Sequence, residues 1–247
     1  MSRFSRSALL AAVLAATPAV VHAQDQGKGF LFGAPSGSFR IDAGWALASA
    51  QSDLFSFATN ELTLRRGDFS SPTLGGELAF NVRDRTQIVV TGSLSQMKKG
   101  SEFRKFVGND MLPIAQTTTF RRVPLTVGVK QYLVAPGQSI GRLAWIPSRF
   151  APYLSVGGGT TWYQFSQSGD FVDFNTNNIF HDEYNSKGWA PAGYAAAGLD
   201  YALGPSYALT TELKYLKSSG ALSNDFSGFH SLDLSGLATT IGFTMRF

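Results

Sequence analysis

Cysteine is absent from the 247 residues, so no disulfide constrains the chain and a sheet or packed core alone must hold it. Histidine is nearly absent, with only His22, His181 and His230. Charged residues make up 15% of the chain, well under the roughly 25% of ordinary soluble domains. The net charge is +4, and loss of Arg3 and Arg6 with a leader would take 21 basic residues to 19 against 17 acidic. A balance so near neutral gives no footprint for nucleic acid, and none is expected as a partner. Long apolar runs are missing too. The longest, from Ala8 to Val21, falls short of the about 20 residues that a spanning helix needs.

That run has another reading. Arg3 and Arg6 precede it and Val21-His22-Ala23 follows it, which gives a basic region, an apolar region and a small-x-small cleavage site. Residues 1–23 are expected to be a secretory signal peptide cut after Ala23, leaving residues 24–247 as one domain. The chain is rich in glycine (26) and phenylalanine (20), and its mean hydropathy is close to zero. That composition suits many strands with one apolar face better than a helical bundle.

The strongest pattern is the ending, LATTIGFTMRF. Leu237, Thr239, Ile241, Phe243, Met245 and Phe247 alternate with small or polar residues, the period of a strand with two unlike faces. Seven more segments alternate in the same way, giving strands over 38–49, 72–82, 86–96, 117–133, 150–165, 188–201, 207–216 and 231–247. Each is long enough for a tilted membrane strand of about 9–11 residues. The connections between them are alternately short and long, with the sixteen-residue stretch VAPGQSIGRLAWIPSR as the exception. Short turns on one side and long loops on the other describe an outer-membrane barrel. A closed barrel has no free edge to absorb a proline, so Pro124, Pro152 and Pro191 are awkward, and Pro124 is expected to mark a bulge.

The segments VPLTVGVKQYL, APYLSVGGGTTWY, AAGLDYAL, TTELKYL and LSGLATTIGFTMRF resemble strands of the small Gram-negative outer-membrane β-barrel superfamily. Its OmpA-type transmembrane domains, OmpX-like barrels and OmpW-like barrels share patterning rather than a catalytic motif. The resemblance implies an all-β, eight-stranded antiparallel up-and-down transmembrane β-barrel. It also implies location in the outer membrane and recognition of Phe243, Met245 and Phe247 by the barrel-assembly machinery. Outer-membrane lipid and lipopolysaccharide are the expected surroundings. No peptidoglycan-binding domain follows the barrel pattern, so an OmpA-like tethering role is not expected.

The alternation turns Arg40, Asp42, Glu77, Arg122, Lys130, Asp200, Glu212, Lys214 and Arg246 inward. An eight-stranded lumen is just wide enough for side chains to fill. Near-balance of charge there predicts an ion-paired plug, with Glu77 or Glu212 paired to Arg122 or Lys214. A gate or ion path along those four is the functional rival. Three local patterns, Gly128-Val129-Lys130, Gly198-Leu199-Asp200 and Thr244-Met245-Arg246, place a small residue inward, an apolar one outward and a charge inward.

The outer connections hold Phe55, Phe57, Phe69, Phe103, Phe106, Phe171, Phe174, Phe180, Phe226 and Phe229, with a basic cluster of Lys98, Lys99, Arg104 and Lys105. These would either pack strand extensions together or form an apolar mouth for a surface ligand or small hydrophobic solute. The basic cluster would face lipopolysaccharide phosphates. His181-Asp182-Glu183 and Asp225…His230…Asp233 lack a metal-ligand spacing, and neither a metal nor another cofactor is expected. His230 and Ser231 are neighbours that an extended strand points apart, and no G-x-S-x-G occurs, so a lipid-modifying enzyme is disfavoured. The expected function is a non-enzymatic barrel for envelope integrity or surface interaction, with a filled lumen. A narrow OmpW-like channel is the alternative.

Overall fold

The structure is a computed structural model and describes residues 29–108, 111–141, 143–174, 176 and 178–247. The expected leader and its cleavage site lie outside the described residues. Eight long strands form the body: β1 (Gly37–Ala48), β2 (Ser71–Arg83), β3 (Thr86–Val107), β4 (Pro113–Tyr132), β5 (Phe150–Val172), β6 (Ile179–Ala202), β7 (Tyr207–Gly220) and β8 (Gly236–Arg246). Each pairs antiparallel with its sequence neighbours. β8 then pairs with β1 from Gly236↔Ala48 to Arg246↔Ser38 and closes the ring. The chain is therefore an eight-stranded up-and-down β-barrel, whose ladders close into a ring below the upper strand extensions.

The outward face carries the membrane. Ile41, Leu47, Leu74, Val90, Leu125, Val127, Val156, Leu213 and Ile241 are all exposed around its middle. Phe39, Phe80, Phe150, Tyr207, Phe243 and Phe247 ring the end where β1 begins, here called the lower end. Trp45, Trp189 and Tyr215 ring the upper part, and Trp189 lies directly opposite Trp162 in the register. Apolar flanks between two aromatic girdles are what a lipid bilayer demands of a barrel. This is a transmembrane barrel.

Five strands outrun the sequence expectation by four residues or more, among them β4, from Pro113 instead of 117, and β7, to Gly220 instead of 216, while β8 begins only at Gly236 instead of 231. β3 continues to Val107 instead of 96, β5 to Val172 instead of 165, and β6 begins at Ile179 instead of 188. The reason is an inversion of polarity. Above the upper girdle the outward residues are Gln96, Lys98 and Gln164, while the inward ones are Met97, Phe103, Phe120 and Phe165. Outside lipid a strand no longer needs an apolar outer face, so the signal used to trace it disappears while the ladder goes on.

These extensions enclose a core. The first upper connection folds into a helix, α1 (Asp53–Glu61), with Leu54, Phe55 and Ala58 buried. Phe55 stands edge-on to Phe69 (4.6 Å), Phe120 (5.4 Å) and Phe165 (5.8 Å), and Phe165 meets Phe226 at 5.5 Å. Edge-to-face pairs like these add about 0.5–1.5 kcal/mol each beyond the area they bury. Leu62, Leu64, Ile114, Leu232 and Leu234 complete the cluster and seal the upper mouth.

At the lower end the sixteen-residue connection is also structured. Gly137–Ile140 and Ala144–Pro147 form a hairpin, and Leu31–Phe32 adds a third strand. The prolines sit where one ladder is interrupted. β3 and β4 pair at Gly92↔Leu125 and again at Ser95↔Arg122 in the same register, skipping Val123-Pro124 without the expected bulge. Pro191 lies one step past Ser218↔Ala192, where β7 leaves β6.

Candidate functional site

The inward positions of the barrel build a layered lumen. Arg40 on β1 stands directly opposite Glu77 on β2 in the register, with 3.5 Å between the charged groups. Its Nε donates to Asp42 (3.0 Å) and its Nη1 donates to Glu212 across the lumen (3.1 Å) and to the Tyr153 hydroxyl (2.9 Å). Tyr153 in turn donates to Glu212 at 2.7 Å. Lys130 pairs with the other oxygen of Glu77 and lies over the Tyr153 ring, 4.4 Å from its centroid. Arg40 is only 3% exposed and Glu77 4%. Side chains from β1, β2, β5 and β7 thus converge on one guanidinium, and Lys130 of β4 joins the layer through Glu77 and the Tyr153 ring. An isolated charge at such depth would cost far more than it returns, and only the completeness of the pairing makes the layer tenable.

Close backbone approach makes room for the tyrosines. A Cβ added at Gly198 would lie 2.3 Å from the Tyr153 ring, and one at Gly157 would lie 2.6 Å from the Tyr194 ring. Tyr194 shares a hydrogen bond with Ser155 (3.0 Å), and its ring carries the Lys214 ammonium 4.1 Å above the centroid. That ammonium donates to the Thr91 hydroxyl (2.8 Å). Alternation alone turns Tyr153 and Tyr194 inward, and their positions opposite Gly198 and Gly157 are the signal of their role.

Two expected pairings are corrected. Among the described residues neither Arg122 nor Lys214 makes an ion pair with Glu77 or Glu212. Arg122 lies eight residues along β4 from Lys130, roughly 26 Å at the rise of a strand, so it cannot reach that layer. Instead it donates to the carbonyl oxygens of Leu234 (3.0 Å) and Ser235 (3.2 Å) and lies over the Phe120 ring at 5.1 Å, pinning the upper core. Lys214 is two residues from Glu212 on the same face, yet turns to Thr91 and Tyr194. A continuous path along the four residues is not what the side chains form.

Below the central layer, Asp200 accepts from Tyr132 (2.7 Å) and Thr210 (2.6 Å), and Thr210 bonds Thr244 (2.8 Å). Arg246 donates to the Pro205 carbonyl oxygen at 3.5 Å and stacks over Trp145 of the lower hairpin at 5.6 Å. This layer roofs a cavity of about 640 Å³ that opens at the lower end. Each of the three inward charges noted in the repeated local patterns has a partner here or in the layer above.

The upper basic cluster is engaged rather than free. Lys105 pairs with Glu61 (3.0 Å), Lys99 with Asp68 (3.5 Å), and Arg104 donates to the Leu64 carbonyl oxygen (3.2 Å). These contacts link the α1 connection to β3, while the Lys99 and Lys105 side chains stay more than half exposed. Of the two readings of the outer phenylalanines, the side chains form the packing of strand extensions: Phe55, Phe69, Phe103 and Phe226 are core residues, while Phe174 and Phe180 stay exposed. His181 pairs with Asp170 (2.8 Å) and the His230 ring with Asp53 (2.8 Å). Ser231 accepts from Ser219 (2.9 Å).

No protein-family model matches the chain, and no curated protein matches it by sequence. Solved structures do. Neisserial surface protein A aligns over 86% of this chain and 97% of its own, at 13% identity and a TM-score of 0.49. The outer membrane protein OprG from Pseudomonas aeruginosa aligns over 88% and 99%, at 17% identity and a TM-score of 0.46. Ail, the attachment invasion locus protein of Yersinia pestis, aligns over 86% and 99%, at 14% identity and a TM-score of 0.42. The fold itself rests on the closed ladder of eight strands, and in that architecture the chain is similar to the small outer-membrane β-barrels.

Proposed function

We propose that this chain is a closed, non-enzymatic barrel of the Gram-negative outer membrane, with its lower end in the periplasm and its upper connections at the cell surface. Its role is envelope integrity or surface interaction. The observation that carries this reading is the Arg40 layer, which spans the lumen from β1 to β7 through Glu77, Lys130, Tyr153 and Glu212. The sealed upper core above it supports the same conclusion. A barrel blocked at two levels presents a rigid outer surface and passes little through.

The partners follow from the outward face. Gln96, Arg121, Gln164 and Lys187 lie opposite one another across β3 to β6, one step above Trp162 and Trp189. A row of donors at that height suits lipopolysaccharide phosphates. Phe243, Met245 and Phe247 face outward on β8 and suit the barrel-assembly machinery. A nucleophile–base pair at His230-Ser231 lacks support, since among the described residues the His230 ring bonds Asp53, Ser231 bonds Ser219, and the two make no hydrogen bond to each other.

Liposome swelling with a graded series of sugars tests the reading. Purified, refolded protein should give no swelling above that of empty liposomes, whereas size-dependent swelling would favour the OmpW-like channel. The acyl pattern of lipid A should be the same in cells with and without the gene.

A further inference from the structure

Above the upper girdle β3 to β6 continue as a four-stranded sheet whose two edges end differently. β2 pairs with β3 only as far as Thr73↔Ser95, and β7 with β6 only as far as Ser218↔Ala192. Beyond that point the β3 edge is taken by the chain's own first connection. Leu62 bridges Phe103, the Thr63 N–H donates to the Glu102 carbonyl oxygen (2.9 Å), and the Glu102 N–H donates to the Thr63 hydroxyl (3.0 Å). The β6 edge is covered, among the described residues, over Asn185 and Ser186 alone. There Asp225 accepts from the Asn185 N–H (3.0 Å), and Ser223 bonds both residues.

Residues 179–183 are left as an open edge. The Asp173 N–H donates to the Asn178 carbonyl oxygen (2.9 Å), and that bond fixes the parity of the ladder. Even-numbered residues of β6 bond β5, while Ile179, His181 and Glu183 turn their N–H and C=O groups the other way. Asn185 is the next residue of that series, and its N–H does point away from β5, to Asp225. The Glu183 N–H is held by the carboxylate of its neighbour Asp182 (2.8 Å). No other main-chain group of Ile179, His181 or Glu183 has a partner on that side among the described residues. Five residues of open edge span roughly 16 Å, and such an edge is a template for an added strand.

Charge decides what can add there. Between Gln164 and Lys187 the hairpin carries Asp170, Asp173, Asp182 and Glu183 and no lysine or arginine. Asp170 pairs with His181, and no lysine or arginine pairs with Asp182, Glu183 or Asp225 among the described residues. A second copy of this chain would bring two acidic edges together, which like-charge repulsion opposes. His181 and Glu183 share the face of Asp170, whereas Phe180, 38% exposed, stacks on Phe171 at 6.1 Å. An added strand sets every second side chain beside the carboxylates and the ones between beside Phe180. We infer that the open edge of β6 is a docking site for an extended segment of another protein that alternates basic and apolar residues. The inference rests on the surface placement proposed above and names the kind of partner that placement would meet.

The test uses the full refolded barrel in non-ionic dodecyl maltoside micelles, with empty micelles as blank. The probe is the capped peptide KVKVKVK, with EVEVEVE as its acidic counterpart, read by isothermal titration calorimetry and amide hydrogen exchange. Purified barrel exposes both ends, so the outcome concerns the edge whichever way the protein faces in the cell. KVKVKVK should bind saturably, EVEVEVE should not, and binding should slow exchange of the Ile179 and His181 amides. H181P removes a donor that faces away from β5, so the hairpin ladder survives while docking should be lost. The same change frees Asp170, which on charge alone would strengthen binding. E183K should weaken the basic peptide at least tenfold. Heat-modifiable gel migration reports whether each variant is folded, and if H181P fails to assemble, E183K and the exchange pattern decide. No saturable binding, equal binding of EVEVEVE, unchanged exchange at Ile179 and His181, or unchanged affinity in the folded variants would overturn the inference.

Discussion

Arg40 is the residue on which the lumen depends, because three carboxylates and a tyrosine hydroxyl share its guanidinium. Removing one partner of a buried charge network costs about 3–5 kcal/mol, since the others are stranded. Arg40→Met should therefore lower stability to urea by about that amount in lipid-reconstituted protein. Lys214→Met removes a cation that among the described residues bonds a hydroxyl and a ring, and should cost clearly less. The reverse order would contradict the assignment of Arg40 as hub. At the surface, the Asp53 carboxyl is held below the ordinary carboxylate value, chiefly by the His230 backbone N–H (2.9 Å). A depressed group contributes stability above its unfolded value of about 3.9 and loses it as pH falls through the lower folded value. The Asp53 side-chain carboxyl carbon should accordingly show its low-pH titration with a midpoint below the ordinary value of about 3.9. A midpoint at or above the ordinary value would contradict this contact. Parity along each strand made the inward charges legible, but the pairing of Arg40 with Glu77 depends on inter-strand stagger, which no single strand encodes.

At the scale of elements, the membrane decides what a sequence reveals. Within lipid every second residue of a strand must be apolar, so β1, β2, β7 and β8 read directly from alternation. The tops of β3, β5 and β6 do not, because polarity inverts once the outer face meets water and the inner face meets α1. The helix itself has nine residues and an incomplete apolar stripe, so it passed for a loop. The lower hairpin announced itself only as a connection too long for a turn. Phe55 is the keystone of the upper core, fully buried against Phe69, Phe120 and Phe165. Phe55→Ala should cost about 3–5 kcal/mol. The loss should appear as faster amide exchange in α1 and the upper ends of β3 to β6, with the lipid-embedded ladder unchanged. Uniform loosening of the whole barrel would show that the upper core and the membrane ring are one unit.

The whole molecule is a barrel whose two polarities are stacked. Its membrane zone is apolar outside and ionic inside, and its upper zone is polar outside and aromatic inside. Under the proposed function, that reversal places one seal of each chemistry in the path of a solute, the Arg40 layer and the Phe55 core, with a polar vestibule beneath them. Closure of the lumen is the central claim, and single-channel recording in planar bilayers tests it most directly. Wild-type protein inserted at neutral pH in 1 M salt should give a flat trace, with no steps above the bare membrane at any applied potential the bilayer withstands. Stable, reproducible conductance steps from folded, heat-modifiable protein would contradict it.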